Sequence, residues 1–248
     1  MNELSEINVE GVSLEFKLYQ DKHTSIKEKF ALMLRGQHSP QPKQFWALKD
    51  VSLNIVHGER VGIVGHNGAG KSTLLKTICR IYEPTFGTVR VAGKVAPLLE
   101  IGAGFQPEIS GRENIYLNGA ILGYTRPQLE KIEREVIEFT GMQDFIDTPV
   151  KYYSTGMYMK LAFAIATAVH PEILILDELF AGGDAEFIAR AQERMASFVD
   201  NSSILVFVSH QTDLIRRLCN RVIWMDHGQI REDGPTEQVL TNYLHKGE

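Results

Sequence analysis

Gly65-His66-Asn67-Gly68-Ala69-Gly70-Lys71-Ser72 decides the fold of this chain. The stretch fits the spacing G-x-x-x-x-G-K-[ST] and stands between an apolar run, Arg60 to Val64, and a segment of helical periodicity from Lys71 to about Ile81. Strand, glycine-rich turn and helix in that order make a phosphate-binding unit of α/β folds. The glycines let backbone N–H groups turn toward phosphates, and the helix N-terminus adds its positive dipole end. In such a loop Lys71 reaches the β and γ oxygens of a nucleotide, and Ser72 ligates Mg²⁺. The plainer reading is a glycine-rich turn that binds nothing.

Downstream, four apolar residues, Ile173 to Leu176, end in Asp177-Glu178. A buried strand that delivers carboxylates at its C-terminal end is where open α/β sheets place ligand groups. Asp177 would then hold Mg²⁺ through water, and Glu178 would polarise the attacking water as general base. Alone, an apolar run ending in two acids is as well explained by packing; the phosphate loop upstream gives it meaning. His210 directly follows the apolar strand 203–208 and Ser209. A histidine ending a core strand is commonly structural, but here it shares a sheet edge with the other two strand ends. Ser154, in Tyr153-Ser154-Thr155-Gly156-Met157, opens a helix running to Val169 and reads as an N-cap. The same geometry makes an anion site from Ser154 Oγ and the Gly156 N–H. One chain cannot easily use two such sites on one nucleotide, whereas two facing chains can.

Around these motifs, residues 7–19 and 47–56 alternate apolar and polar, as half-buried strands of a small antiparallel sheet do. Residues 20–45 between them carry Ile26, Phe30, Leu32 and Met33 at helical spacing, then a Ser/Pro/Gln-rich stretch. They read as a short amphipathic helix and a loop, with a plain surface helix as the alternative. Residues 105–170 read as helices, opening near Ser110, at Pro127 and near Gly156. Strands come next at 173–177, 203–209 and 221–226, separated by helices, so the core sheet is expected to be mostly parallel. The expected organisation is one domain, 1–248: a β subdomain and the phosphate-loop part of the core in 1–104, a helical subdomain in 105–170, and the rest of the core in 171–248.

Composition narrows the function classes. With 248 residues, 23% charged and a net charge of -5, the chain has the size of one large α/β domain and no basic footprint for nucleic acid. The N-terminus, MNELSEINVEGV, is acidic and lacks an apolar core, so it is read as neither a secretory signal nor a transit peptide. The longest apolar run, Leu161 to Val169, interrupted by Thr167, is far short of the roughly 20 residues of a membrane-spanning helix. Cys79 and Cys219 lie in apolar helical patterns and read as reduced thiols.

Together these residues resemble the nucleotide-binding domain of ABC transporters over nearly the whole chain. Gly65 to Ser72 matches the family's Walker A motif, Gln106 its Q-loop, Ser154 to Met157 its signature, Ile173 to Glu178 its Walker B, Asp184 its D-loop aspartate and His210 its switch histidine. The resemblance implies a P-loop NTPase core with an N-terminal antiparallel β subdomain and an inserted helical subdomain. It implies ATP and Mg²⁺ as cofactors and a head-to-tail homodimer, with ATP between one Walker A site and the other signature. Gly65, Asn67, Gly68, Gly70, Lys71, Ser72 and Thr73 would hold the phosphates, facing Ser154, Gly156 and Asp184 of the second copy. Gln106 would sense the γ-phosphate and Mg²⁺, joining Ser72 and Asp177 at the metal, while His210 would contact the γ-phosphate beside Glu178. The family stacks adenine on an aromatic residue at the end of the first strand; Phe16 and Tyr19 both stand there.

Two departures matter. The signature reads YSTGM where the family has LSGGQ, and LFAGGD comes after Glu178 where a proline and SALD are usual. These departures, with the strings FWALKDVSL, LLEIGAGFQPEISGRENIYLNG, YSTGMYMKLAFA and DELFAGGDAEF, resemble ATPases that export polysaccharides: O-antigen, capsule or teichoic acid. The resemblance implies a separate polytopic membrane subunit in two copies, docked in a groove involving Phe105 to Tyr124, and a place on the cytoplasmic face of a bacterial inner membrane. It also implies no nucleic-acid partner and membrane contact only through that subunit. Some O-antigen ATPases add a C-terminal carbohydrate-binding domain, for which a chain ending at Glu248 is expected to have no room. The rivals are a soluble ABC ATPase acting on ribosomes or nucleic acid, an ABC exporter ATPase for another substrate, and a non-catalytic nucleotide switch.

Overall fold

The structure, a computed structural model, describes residues 4–18, 43–99, 101–177 and 185–245. Two sheets carry it. The first is a three-stranded antiparallel sheet in the order β2-β1-β4, from β1 (Glu6–Leu18), β2 (Lys43–Val56) and β4 (Phe86–Ala92). In β1 the buried side chains run Ile7 and Val9, then Val12 and Leu14. The inward phase slips by one residue where the pairing shifts between Val9 and Val12, as a β-bulge requires. β2 begins at Lys43, not near residue 47 as the alternation suggests, because Gln44, Phe45 and Trp46 pair with Lys17, Phe16 and Glu15. Residues 43–45 of the expected loop are therefore strand; the amphipathic helix expected before them lies outside the described residues.

The second sheet has the order β5-β6-β7-β3-β8-β9, from β3 (Arg60–Val64), β5 (Val95–Leu98), β6 (Ile173–Asp177), β7 (Ile204–Val208), β8 (Arg221–Asp226) and β9 (Gln229–Pro235). All neighbours run parallel except β8 and β9. Every residue of β7 and the first four of β6 are buried, as strands covered on both faces must be. β5 escapes a sequence reading because Pro97 breaks the apolar pattern, and a proline is tolerated on an edge strand. β9 escapes it because its side chains alternate only between exposed and half-buried.

The helices are α1 (Lys71–Ile78), α2 (Gly111–Ile121), α3 (Arg126–Thr140), α4 (Thr155–Ala166), α5 (Ala185–Asn201), α6 (Thr212–Leu218) and α7 (Thr236–His245). α1 stops three residues short of Ile81. Arg80 turns left-handed at φ 58°, and the Ile81 N–H bonds back to the Lys76 carbonyl at 2.8 Å, a Schellman-type stop. α4 ends at Ala166 rather than Val169, with Thr167 Oγ1 donating to the Phe163 carbonyl at 2.7 Å. α2, α3 and α4 pack around their own cluster, including Ile115, Leu129, Ile132, Val136, Ile146 and Leu161, apart from the clusters on the two faces of the β3 sheet. Arg112 on α2 binds Asp147 (Nε to Oδ1, 2.7 Å) and Glu133 of α3, whose other oxygen accepts from Tyr116 at 2.6 Å. The Arg112 guanidinium holds the Asp147 carboxyl below its usual range, so this pairing favours folding at neutral pH and is lost only in acid. Among the described residues, no helix is long and apolar enough to cross a membrane.

Both thiols are free, and burial pushes each up to about 12. At pH 8 the thiolate fraction of such a group is on the order of 10⁻⁴. Iodoacetamide at that pH is therefore expected to leave Cys79 and Cys219 unmodified in the native chain and to label both in denaturant, as intact-mass spectrometry would read.

Candidate functional site

Three strands end on one edge. Register sets Ile63 of β3 and Asp177 of β6 both opposite Val208 of β7, so the loop after Val64, the Asp177 carboxylate and Ser209-His210 converge. This is the C-terminal edge at which open α/β sheets bind ligands. The glycine loop is pressed from two sides. A Cβ on Gly65 (φ 151°) would lie 2.3 Å from the Met225 carbonyl oxygen, and one on Gly70 (φ 102°) would lie 2.8 Å from that of Ala47. The backbone conformation and the space both exclude a side chain at these two positions. Gly70 caps α1 without a side-chain acceptor, leaving the first-turn N–H groups pointing out of the helix end.

Lys71 is buried, 7% exposed, and its ammonium donates to the carbonyls of Gly65 (2.8 Å) and His66 (3.1 Å). Ser72 Oγ donates to Asp177 Oδ2 at 3.0 Å. A hydroxyl and a carboxylate converging in this way are hard oxygen donors of the kind Mg²⁺ takes. These groups open into a cleft of about 460 Å³ whose lining also holds Phe16, Asn67, Gly68, Thr73 and His210. The sequence candidates Gly70, Lys71, Ser72, Asp177 and His210 are thus gathered within one chain.

Other candidates stand elsewhere. Ser154 caps α4, its Oγ accepting from the Met157 N–H at 3.2 Å, and neither Ser154 nor Gly156 lines the cleft. Gln106 also lies off the lining. Tyr19, Glu178 and Asp184 lie outside the described residues. Phe16 meets Tyr82 edge-on at 5.4 Å and reaches the cleft.

Two residues that sequence reasoning missed bear on the site. Phe45, 53% exposed, is the cross-strand partner of Phe16 and lines the same cleft. Its signal was the aromatic pair in QFW, hidden by the proline-rich stretch before it. Asn114, fully buried on α2, clamps the loop around Gln106. Its Oδ1 accepts from the Gln106 N–H at 2.8 Å, while its Nδ2 donates to the carbonyls of Gln106 (3.1 Å), Ile109 (3.3 Å) and Ser110 (2.9 Å). Asn114→Ala leaves the Gln106 N–H without its acceptor, at about 1–3 kcal/mol if it stays dry, while the three carbonyls keep backbone donors in the Ile109, Val150 and Asn114 N–H groups. Urea unfolding should show that loss.

The sequence pattern described as ABC transporter matches residues 48–181. The chain is 39% identical to the O-antigen export system ATP-binding protein RfbB of Klebsiella pneumoniae, over 96% of both chains. It is 42% identical over 93% of its length to the RfbB protein of Myxococcus xanthus, of which it spans about half, 53%. It is 38% identical over 96% of its length to the teichoic acids export ATP-binding protein TagH of Listeria monocytogenes, covering 69% of that protein. Among solved structures, a dimeric ATP-binding cassette in a post-hydrolysis state with ADP and Pi matches with TM-score 0.66 at 20% identity, over 93% of this chain and 98% of that one. An ATP-binding subunit of an ABC transporter matches with TM-score 0.67 at 21% identity, over 98% and 95%. At these identities the structural likeness speaks for the fold, which is that of an ATP-binding cassette.

Proposed function

The chain belongs to the ABC transporter family, and from that premise we propose that it is the ATP-hydrolysing subunit of an exporter of lipid-linked bacterial surface polysaccharide, most closely an O-antigen. The observation that carries the chemistry is the meeting of buried Lys71, the Ser72–Asp177 pair and His210 in one cleft. The cargo class follows from the name of the Klebsiella relative, matched over nearly the full length of both chains.

In this reading the loop from Gly65 to Gly70 and the α1 N-terminus cradle the phosphates, with Lys71 released from its carbonyl partners to meet the β and γ oxygens. Bound at Ser72 and Asp177, Mg²⁺ would neutralise phosphate charge. Glu178 draws the proton from the attacking water, and His210 contacts the γ-phosphate. Phe16 offers adenine a stacking face worth roughly 1–3 kcal/mol, with Phe45 beside it. Ser154 and Gly156, displaced from the cleft of their own chain, serve the nucleotide of a second copy, which makes the working form a homodimer. Gln106, held by Asn114, reports the state of the cleft to the helical unit.

A polytopic membrane subunit, in two copies, would dock beside α2, where Ile121 (69%) and Leu122 (50%) are exposed next to Phe105 and Tyr124. That partner would hold the ATPase at the cytoplasmic face of the membrane. The test is to co-purify the chain from its own cells and identify its partners by mass spectrometry. A polytopic subunit encoded beside glycosyltransferases is the expected result; ribosomal or DNA-associated proteins would overturn the export reading while leaving the ATPase chemistry intact.

A further inference from the structure

The turn between β8 and β9 sets two side chains against the phosphate loop. Asp226 ends β8, and His227 comes next in a left-handed conformation, φ 48°. Two backbone bonds pin the turn: the Gly228 N–H donates to the Ala69 carbonyl at 2.9 Å, and the Gly228 carbonyl accepts from the Lys49 N–H at 2.8 Å. Opposite stands His66, the second residue of the loop. Its Nδ1 lies 2.8 Å from the Asn67 carbonyl oxygen. A carbonyl only accepts, so Nδ1 carries the hydrogen and, in the neutral ring, Nε2 carries a lone pair. That Nε2 faces Asp226 Oδ1 at 3.0 Å. Two acceptors at this distance call for a cation between them.

His227 completes the set. Its Nε2 is 3.7 Å from the same Oδ1, and the three residues offer ligand atoms that all lie within 4.8 Å of one another. Ligand atoms around tetrahedral Zn²⁺, at arms of roughly 2.0–2.2 Å, are about 3.3–3.6 Å apart. The His227 side chain is 79% exposed and has room to rotate toward that geometry. Arg231 Nη1 binds the other carboxylate oxygen of Asp226 at 3.3 Å, orienting Oδ1 toward the histidines. Asp226 lies between this guanidinium and the ion and offsets their repulsion.

We propose that His66, Asp226 and His227 bind one transition-metal ion of the Zn²⁺ class, with a further coordination position open. Imidazole nitrogens suit Zn²⁺, Ni²⁺ or Cu²⁺, whereas Mg²⁺ takes oxygens, so this site is chemically distinct from the Ser72–Asp177 pair. Its consequence is a brake. The His66 carbonyl accepts from the Lys71 ammonium, so an ion on the His66 ring ties the residue that retains Lys71 to the pinned turn. The brake rests on the nucleotide-binding reading of Lys71; the metal site does not.

The experiment titrates the full chain, freed of metal and nucleotide, with Co²⁺, reading tetrahedral d–d absorption and stoichiometry by equilibrium dialysis. One Co²⁺ per chain is expected. Affinity should fall at least tenfold in Asp226→Asn and in His227→Asn, the latter chosen because asparagine tolerates the left-handed backbone. His57→Ala, at an exposed histidine outside the cluster, should bind as the natural chain does. Undiminished binding in both cluster variants, or no stoichiometric binding to the natural chain, would overturn the site and leave a proton as the only cation between His66 and Asp226. Added Zn²⁺, with Mg²⁺ in excess, should then slow phosphate release by the natural chain and spare His227→Asn. Equal slowing of both, or of neither, alongside stoichiometric Co²⁺ binding would retain the site and overturn the brake.

Discussion

Lys71→Ala is expected to lower ATP turnover by a factor of about 10² to 10³, the range seen when one preorganised charge-stabilising donor is removed. The side chain is buried at the root of the phosphate cleft, and its ammonium spans the Gly65 and His66 carbonyls. Truncation therefore removes the ammonium that, in the proposed reading, meets the β and γ oxygens. It also withdraws two charge-assisted bonds from the loop, each worth about 1.5–3 kcal/mol, so a loss of stability has to be separated from a loss of phosphate binding. Two measurements do this. Phosphate release gives turnover, and thermal melting with and without MgATP gives binding by linkage. The natural chain should melt higher with MgATP, and the variant should show no such rise while remaining folded. Turnover within a few-fold of the natural chain would remove Lys71 from the phosphate site.

Glu178→Gln should separate binding from hydrolysis. The residue comes directly after Asp177, which β6 delivers to the cleft edge, and an amide in its place keeps the shape while losing the group that takes a proton from water. Turnover is expected to fall by about 10² or more, with ATP affinity retained. Because hydrolysis would no longer reopen the sandwich, the variant should accumulate as an ATP-dependent dimer in size-exclusion chromatography, and the natural chain should not. Retained turnover would refute the base assignment. Lost turnover without an ATP-dependent dimer would keep the base and count against the two-copy sandwich. Together the two variants distinguish a site that cannot hold the γ-phosphate from one that holds it and cannot cleave it.

The parts of this protein that sequence reveals are those whose physics is local. A loop that must take positive φ at Gly65, Gly68 and Gly70 and then start a helix needs glycines and a lysine at fixed spacing, and that spacing is written in eight consecutive letters. Ser110 and Pro127 mark their helices because a capping box involves only residues three apart and a first-turn proline acts on its own turn. The buried strands β6 and β7 read as unbroken apolar runs for an equally local reason: both of their faces are covered.

Features that stayed hidden depend on partners distant in the chain. β5 and β9 are strands because β6 and β8 pair with them, not because their residues insist on it. Phe45 joins the cleft only through its register with Phe16, and nothing in QFW states that register. Asn114 looks like any polar helix residue until the fold buries it against four backbone groups of the loop around Gln106. His66 and Asp226 are 160 residues apart and meet because β3 and β8 lie side by side in parallel, which brings the loop after β3 against the last residue of β8. Read alone, the sequence carried the phosphate loop and the family. The tertiary structure alone decided which side chains share the cleft and which stand away from it, because strand register and sheet order are set by long-range pairing and burial that no short stretch encodes.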